Sequence, residues 1–310
     1  MSVTLNQNTS KFLVLYFNQH LPIDWKQEFG RKAPLLVELG FGNGEYLITC
    51  AKQNPDKNFI GIEINFELIK KALKRIQVAN LTNVRLVKIH ATVALEYLFA
   101  PQSIAHIDSL FSFPWPKKRH HRHRLFKADF LKMVNNRLEP HGKLMIVTDD
   151  KPYFNWILKQ NSKTGLRIKK STIPAQFNTR FERKWQAEGQ DLFFQALLTK
   201  TSHLRIPLKK AQAMEPLFCS RFNPETYAPK SITGKQSIIF KKFQFDKKKK
   251  QGRQIIFTAE GPLMQSFTVL IKHSARQWKI ELTSDQRIIK TKLVKKSLLQ
   301  ILKACEKTRS

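Results

Sequence analysis

The chain has 310 residues, of which 42% are hydrophobic and 23 are Phe, which is enough for a buried core in one or two domains. Its 55 Lys and Arg against 23 Asp and Glu give a formal net charge of +32. That excess is larger than solubility requires and predicts a polyanionic partner, most simply a nucleic acid.

Cysteine usage and the hydropathy pattern exclude several classes of protein. Three scattered cysteines (Cys50, Cys219 and Cys305) fit neither a disulfide framework nor a cysteine metal site, and they predict a reducing compartment. We recognise no signal peptide and no continuous apolar run of about 18 residues. We therefore expect a cytoplasmic protein without a membrane span.

Five short apolar segments in the first half of the chain predict β-strands. They are "LLVELG" (35–40), "NFIGIEI" (58–64), "VRLVKI" (84–89), "IDSLFSF" (107–113) and "KLMIVT" (143–148). Between them, residues 66–80 and 127–138 place apolar side chains at helical spacing. This alternation predicts an α/β fold over residues 1–204, with a Rossmann-like, doubly wound and mostly parallel sheet.

The alternation of strands and helices is lost from about residue 201. Four apolar segments then predict antiparallel strands, and a helix is predicted over residues 294–305. The strands are "SIIFKKFQF", "QIIFTA", "FTVLIKH" and "WKIELT". We predict a second, smaller and basic α+β domain over residues 205–310. Its segment 241–253 predicts a basic hairpin, for which RNA contact and a solvated turn are equally open.

The first predicted strand runs into a glycine-rich turn, "VELGFGNGEY". Gly40, Gly42 and Gly44 allow the backbone to approach a ligand closely, in a spacing that differs from that of dinucleotide sites. Glu38 disfavours a pyrophosphate and suits S-adenosylmethionine, which carries a sulfonium and an ammonium but no phosphate. Glu63, at the end of the second predicted strand, is placed to bind both ribose hydroxyls. The alternative is a tight turn beside an unrelated surface acid.

A basic loop, "FSFPWPKKRHHRHR" (111–124), follows the fourth predicted strand and should begin beside the same pocket. Two prolines stiffen its start, and Trp115 offers a flat face for a base or for core packing. The cations expected to hold phosphates are Lys117, Lys118, Arg119, Arg122 and Arg124. No Cys or carboxylate joins the loop histidines at ligand spacing, so we expect no metal. The loop predicts a nucleic-acid methyltransferase, with a solvated basic turn as the alternative.

Five segments occur in the order of the bacterial tRNA (guanine-N7)-methyltransferase family, which the chain resembles over residues 30–200. They are "VELGFGNGEY", "GIEI", "FPWPKKRHHRHRL", "TDDKPY" and "TRFERK". The resemblance implies a class I methyltransferase fold and an enzyme with tRNA as its partner. It also implies transfer of a methyl group from S-adenosylmethionine to N7 of guanosine 46 in the variable loop.

The resemblance implies two groups of site residues. The implied cofactor-binding residues are Glu38, Gly40, Gly42, Gly44, Glu63, His90 and Phe113. The implied substrate-binding residues are Lys117, Arg119, Asp149, Thr179, Arg180, Phe181 and Glu182. Glu182 is also predicted to be catalytic, through a grip on the target base, and a surface ion pair is the alternative for it.

Two positions depart from the family's pattern. His90 stands where the family usually has an Asp beside the adenine, and an imidazole still hydrogen-bonds an adenine edge. Phe113 stands where the family's loop has an Asp with a catalytic or guanine-positioning role. Because N7 of guanine has a free lone pair, attack on the methyl group needs no base and depends on alignment. We therefore expect a working enzyme of reduced rate.

Two other functions stay open at this point. One is a non-catalytic RNA-binding protein that keeps the methyltransferase fold, which Phe113 and His90 motivate. The intact Glu38, Glu63 and "TRFE" segment argue against it. The other is a methyltransferase that acts on a different RNA, which the "PWPKKRH" loop disfavours.

Overall fold

The computed structural model describes residues 11–284 and 287–307. The chain divides into two compact units, Met1–Lys209 and Lys210–Ser310, each with its own hydrophobic core. In the described part of the chain, no helix combines the length and the apolar character that crossing a bilayer requires.

The first unit is built on a seven-stranded sheet of order β3-β2-β1-β4-β5-β7-β6. Its strands are β1 (Leu35–Leu39), β2 (Asn58–Glu63), β3 (Val84–Lys88), β4 (Ile104–Leu110), β5 (Leu138–Thr148), β6 (Leu166–Pro174) and β7 (Leu192–Lys200). The strands from β1 to β5 are parallel, and β7 pairs antiparallel with both β5 and β6. The predicted α/β fold with a mostly parallel sheet is confirmed.

An α-helix precedes β1, and one lies between each pair of successive strands of this sheet. They are α1 (Trp25–Phe29), α2 (Glu45–Gln53), α3 (Phe66–Val78), α4 (Ala91–Tyr97), α5 (Ala128–Arg137), α6 (Lys151–Gln160) and α7 (Arg180–Ala187). Helix α3 shows why they form. It buries a single stripe of Ile69, Ala72, Leu73 and Ile76, and the Asn65 side chain caps its first turn by accepting from the backbone N–H of Glu67.

The strand order reverses between β1 and β4, which are neighbours in the sheet. Ligands of open parallel sheets bind at the carboxyl ends of the strands beside such a reversal. In the register, Glu38 of β1 lies opposite Gly61 of β2 on one side and Asp108 of β4 on the other. The sheet therefore brings the ends of β1, β2 and β4 to one edge.

The second unit is a five-stranded antiparallel sheet of order β8-β12-β11-β10-β9 with one long helix. Its elements are β8 (Leu217–Cys219), β9 (Gln236–Asp246), β10 (Gln251–Glu260), β11 (Leu263–Ser274), β12 (Gln277–Leu282) and α8 (Lys292–Glu306). Strand residues such as Val269 and Ile280 share one core with Leu298 and Ile301 of the helix. The predicted antiparallel α+β region is confirmed, and β9 and β10 pair as a hairpin over the predicted basic segment.

Candidate active site

The glycine turn after β1 leaves open space on the side where side chains would stand. Gly40 and Gly42 have φ of 75° and 56°, and a Cβ built on either would meet no atom within 4 Å. Gly44 serves packing instead, because its Cβ would lie 2.9 Å from the Cβ of Ala72 on α3. The turn thus combines a backbone cradle of the kind a ligand can enter with close contact between α2 and α3.

Glu38 lies at the end of β1 with a nearly inaccessible side chain. It is 5% exposed, and its Oε2 atom has no hydrogen-bond partner. Burial raises the pKa of this carboxyl well above its usual value, and the nearby Asp108 and Glu63 raise it further. A buried carboxylate in acidic surroundings with a free acceptor is suited to a cationic ligand group.

Glu63, at the end of β2, ties the glycine turn to its own strand. Its Oε2 accepts from the backbone N–H of Gly42 at 3.2 Å. Its Oε1 accepts from the N–H groups of Ile64 and Asn65 at 2.8 and 2.9 Å. The structure therefore brings Glu63 next to the turn, as the sequence predicts.

His90 is the N-cap residue of α4. Its Nδ1 atom accepts from the backbone N–H of Thr92 at 3.2 Å, and burial lowers its pKa although the charge of Glu96 opposes this. A neutral imidazole that accepts at Nδ1 carries its proton on Nε2. His90 thus caps α4 and retains one ring N–H donor.

The fourth strand ends earlier than predicted, at Leu110 instead of residue 113, and Phe111 already has a φ of 53°. Phe113 is 64% exposed and packs edge-on against Trp115, whose ring also lies 4.8 Å from that of His123. The loop is thus organised around Trp115. Lys117 and Arg119 are exposed, in or next to a 3₁₀ turn over Lys118–His123.

Arg124 does not have the phosphate-binding role predicted for it. Its side chain is buried, and its Nε donates to the carbonyl oxygen of Pro114 at 2.8 Å. Its guanidinium also lies over the rings of Tyr153 and Trp156, at 5.3 and 5.0 Å. The prediction for this residue was wrong because spacing along a loop does not reveal which cation folds back to close it.

Among the residues that the structure describes, no three potential metal ligands converge on one point.

Asp149 follows β5 at the same edge of the sheet. It is half-buried, and burial raises its pKa. The neighbouring Asp150 caps α6, since its Oδ1 accepts from the backbone N–H of Tyr153 at 2.6 Å. Of the two aspartates, Asp149 is the one whose side chain does not cap a helix.

Residues 175–182, which we call the α7 entry segment, lead into α7 through a capping box. The Thr179 side chain accepts from the backbone N–H of Glu182 at 3.1 Å. The Glu182 carboxylate in turn accepts from Gln176 and Phe177 at 3.0 and 3.1 Å through Oε1, and from Thr179 at 3.1 Å through Oε2. Each of these three donors is a backbone N–H.

The catalytic role predicted for Glu182 is not supported by this geometry. The residue is fully buried with both oxygens engaged, and it is no surface ion pair either. It shapes the entry segment, so we assign it a positioning role. Arg180 and Phe181 face outward instead, and the ring of Phe181 stacks on that of Phe111 at 6.3 Å.

Comparisons with known proteins agree with this arrangement. The family model described as "Putative methyltransferase" matches residues 32–195. A curated tRNA (guanine-N(7)-)-methyltransferase from Chlorobium phaeobacteroides is 45% identical over 168 residues, covering 54% of this chain and 82% of that protein. The chain belongs to the tRNA (guanine-N(7)-)-methyltransferase family.

Two further curated relatives with the same protein name show how far the likeness extends. The one from Thermotoga maritima is 38% identical and covers 56% of this chain and 56% of its own length. The one from Aquifex aeolicus is 28% identical over 273 residues, covering 85% of this chain and 91% of its own length. The first two matches are short enough to fit within the first unit, whereas the third is longer than that unit and so includes residues of the second.

The sequence reasoning missed Glu45, the first residue of α2. Its Oε2 accepts from the backbone N–H of Arg180 at 2.8 Å, and its Oε1 accepts from Arg183 and Arg75 at 2.8 and 3.4 Å. Burial alone would raise its pKa, but the hydrogen bonds from Arg183 and Arg180 and the charges of Arg183 and Arg75 together outweigh burial, so the pKa of Glu45 lies below its usual value. Glu45 thereby joins the glycine turn to the α7 entry segment.

Asp108 was also missed. This buried residue of β4 lies across from Glu38, accepts from the hydroxyl of Tyr46 at 3.1 Å, and is 2.7 Å from Nε2 of His106. The sequence did contain a signal for Asp108, because it is an acid inside an apolar strand segment. A charged residue in such a segment is seldom buried without a partner, so its presence points to a functional or paired group. Glu45 gave no comparable signal, since its partner Arg183 lies far along the chain.

Proposed function

We propose that this chain transfers a methyl group from S-adenosylmethionine to N7 of guanosine 46 in the variable loop of tRNA. The chain belongs to this family, and one observation on its own residues supports the proposal most strongly. The buried Glu38 carboxylate, with its free oxygen, stands beside an open glycine turn at the reversal point of the sheet. Enzymes with parallel sheets place their ligands at this point.

The residues present fit the cofactor. Glu38 supplies a carboxyl oxygen without a hydrogen-bond partner for a sulfonium or ammonium group, whose positive charge favours the ionised form, and Gly40 and Gly42 leave the space that such a ligand needs. Glu63 stands at the strand end where a carboxylate binds ribose hydroxyls, and His90 offers an N–H to an adenine edge. When bound, S-adenosylmethionine supplies an electrophilic methyl group.

The protein's own task in this reaction is alignment. The lone pair of guanine N7 attacks without prior loss of a proton, so no general base is required. Asp149 is placed to accept from the N–H donors of the base, and an acid there also favours the cationic 7-methylguanosine product. Four exposed side chains are proposed to contact the tRNA as it approaches the site. Three are cations that suit phosphates and one is an aromatic ring that suits a base: Lys117, Arg119, Arg180 and Phe181.

Phe113 replaces an acid at the edge of this site without removing an essential step. Since the attack needs no base, the loss of a carboxylate there weakens the grip on the base and leaves the reaction possible. The exposed ring of Phe113, held against Trp115, offers a surface on which the target base stacks.

The region 205–310 is proposed to bind RNA. The turn of its β9–β10 hairpin carries Lys247, Lys248, Lys249 and Lys250, all of them exposed. If these lysines contact phosphates, deleting residues 210–310 weakens tRNA binding and flattens its dependence on salt. An unchanged salt slope in the truncated protein would leave this region a stabilising role alone.

Since tRNA is the proposed substrate, the cytoplasm is the proposed place of action.

The decisive experiment is methyl transfer from labelled S-adenosylmethionine to unmodified tRNA transcripts, with nucleoside analysis of the product. We expect 7-methylguanosine, and we expect it to disappear when guanosine 46 is replaced. Tight tRNA binding without methylation, and without rescue by Phe113→Asp, would favour the non-catalytic RNA-binding protein. Methylation of ribosomal RNA but not of tRNA would favour the other alternative.

A further inference from the structure

A second cleft of about 640 Å³ lies in the first unit, between α2, α3 and the entry to α7. Its cationic lining residues are Lys52, Lys71, Lys74, Arg75 and Arg183. Among the residues that the structure describes there, Glu45 is its single carboxylate. The cleft therefore has a strong excess of positive charge.

That excess is available to a ligand. Glu45 is already engaged by Arg75, Arg183 and the backbone N–H of Arg180. Lys52, Lys71 and Lys74 are exposed, and none of the ion pairs found in the described part of the chain includes them. These three ammonium groups are therefore free to meet the charges of a polyanion.

The shape of the cleft suits a strand rather than a compact ion. The α2 residues that line it run from Glu45 to Lys52, a distance of about 10 Å along the helix axis, which is the rise of about three nucleotides. Among the apolar residues of the lining, Val78 is 78% exposed, whereas Ile48 is buried. A row of cations beside an exposed apolar side chain matches a phosphate backbone with its sugars.

The cleft also borders chain segments that belong to the proposed active site. Glu45 directly follows the glycine turn, and Asn178 and Arg183 belong to or adjoin the α7 entry segment. A strand that leaves the methyl-transfer site past Arg180 would reach Arg183 and then the three lysines. This proximity favours RNA over an acidic protein segment as the occupant.

We propose that this cleft binds the phosphates of the tRNA strand next to the target guanosine. The inference rests on the proposed function for the identity of the RNA. Lys71 and Lys74, one turn apart on α3, supply two of the phosphate contacts. Arg75 and Arg183 hold the cleft in shape through Glu45.

The test uses the full-length protein with the double substitution Lys71→Gln and Lys74→Gln. Loss of two phosphate contacts reduces the salt slope of tRNA binding by about 1.4 and weakens binding about tenfold near physiological salt. We expect the KM for tRNA to rise by the same factor, while kcat and the KM for S-adenosylmethionine stay unchanged. The variant Lys71→Arg/Lys74→Arg should behave as the unaltered protein, because it keeps both charges.

The matched control is Lys159→Gln/Lys163→Gln, which removes two exposed lysines at the end of α6 and just beyond it. If the cleft variant and this control give the same tRNA affinity and the same salt slope, the inference is overturned. An acidic protein partner would then be the occupant to look for.

Binding and turnover separate this inference from the proposed function. If the unaltered protein binds tRNA but does not methylate it, the proposed function fails, and the salt slope still decides the cleft. If tRNA is methylated and the cleft variant keeps its KM, the cleft inference fails alone. If tRNA is not bound at all, both fail.

Discussion

One buried glutamate lies beside the glycine turn and another lies in the α7 entry segment, and the two carboxyl groups are used in opposite ways. Glu38 keeps an oxygen without a hydrogen-bond partner, whereas Glu182 accepts from three backbone N–H groups. Burial of an acid therefore does not by itself identify a ligand-binding residue. The two glutamates differ in whether an acceptor is left open for a cationic ligand group.

Glu45 connects these two regions. It begins the helix that follows the glycine turn, and it contacts both the backbone of Arg180 and the side chain of Arg183. A change in the position of α2 would thus be transmitted to the residues proposed to face the substrate. Four substitutions or conditions test how different the two regions are.

The largest effect is expected for Glu182→Ala, which leaves three partly buried backbone donors without an acceptor. A fully buried unpaired donor costs about 1–3 kcal/mol, and water partly reaches these three, so we expect the free energy of unfolding to fall by about 3 kcal/mol. Methyl transfer should be lost with it, as measured by denaturant unfolding and activity on the same samples. Unchanged stability with lost activity would instead restore the direct role predicted for Glu182.

Glu38→Gln should act on ligand binding rather than on folding. The substitution removes a buried carboxyl whose ionisation the fold disfavours, so we expect stability to stay equal or to rise. Affinity for S-adenosylmethionine should fall about a hundredfold, since a hydrogen bond to a charged group contributes about 1.5–3 kcal/mol. Calorimetric titration measures this, with the exposed Glu67→Gln as the control. Equal affinities for the two variants would contradict the role of Glu38.

The pH dependence of stability offers a finer comparison. The pKa of Glu38 is raised in the folded protein above its ordinary value of 4.5, so the folded state holds this proton more tightly than the unfolded chain does. Its contribution to stability is therefore present at low pH and is lost as pH rises from 4.5 through the raised pKa. Unfolding of the cofactor-free protein across this range should show a decline that Glu38→Gln reduces. Parallel profiles would contradict the raised pKa.

The smallest effect is expected for Phe113→Asp. Unlike the two glutamate substitutions, it changes an exposed position and adds a carboxylate there. Because the side chain is 64% exposed, stability should change by no more than about 0.5 kcal/mol. We expect kcat on tRNA to rise a few-fold through a better grip on the base. A lower kcat would show that stacking on Phe113 matters more than the missing acid.

The sequence by itself determined the elements that depend on local periodicity. The stripe of α3 and the apolar segments of β1, β2 and β3 are visible because burial on both sheet faces leaves continuous apolar runs. The edge strand β6 and its neighbour β7 were not predicted as strands. Many of their residues are only partly buried, so they mix polar and apolar side chains.

The site was predictable wherever a motif marks it, as at Glu38, Glu63 and the glycine turn. The tertiary structure decided which charged residues are free and which are occupied. Arg124 closes its own loop, Glu182 fills a capping box, and Glu45 finds partners more than a hundred residues away. Hydrogen bonds of this kind depend on which backbone groups the fold leaves unpaired, and composition and spacing do not reveal this.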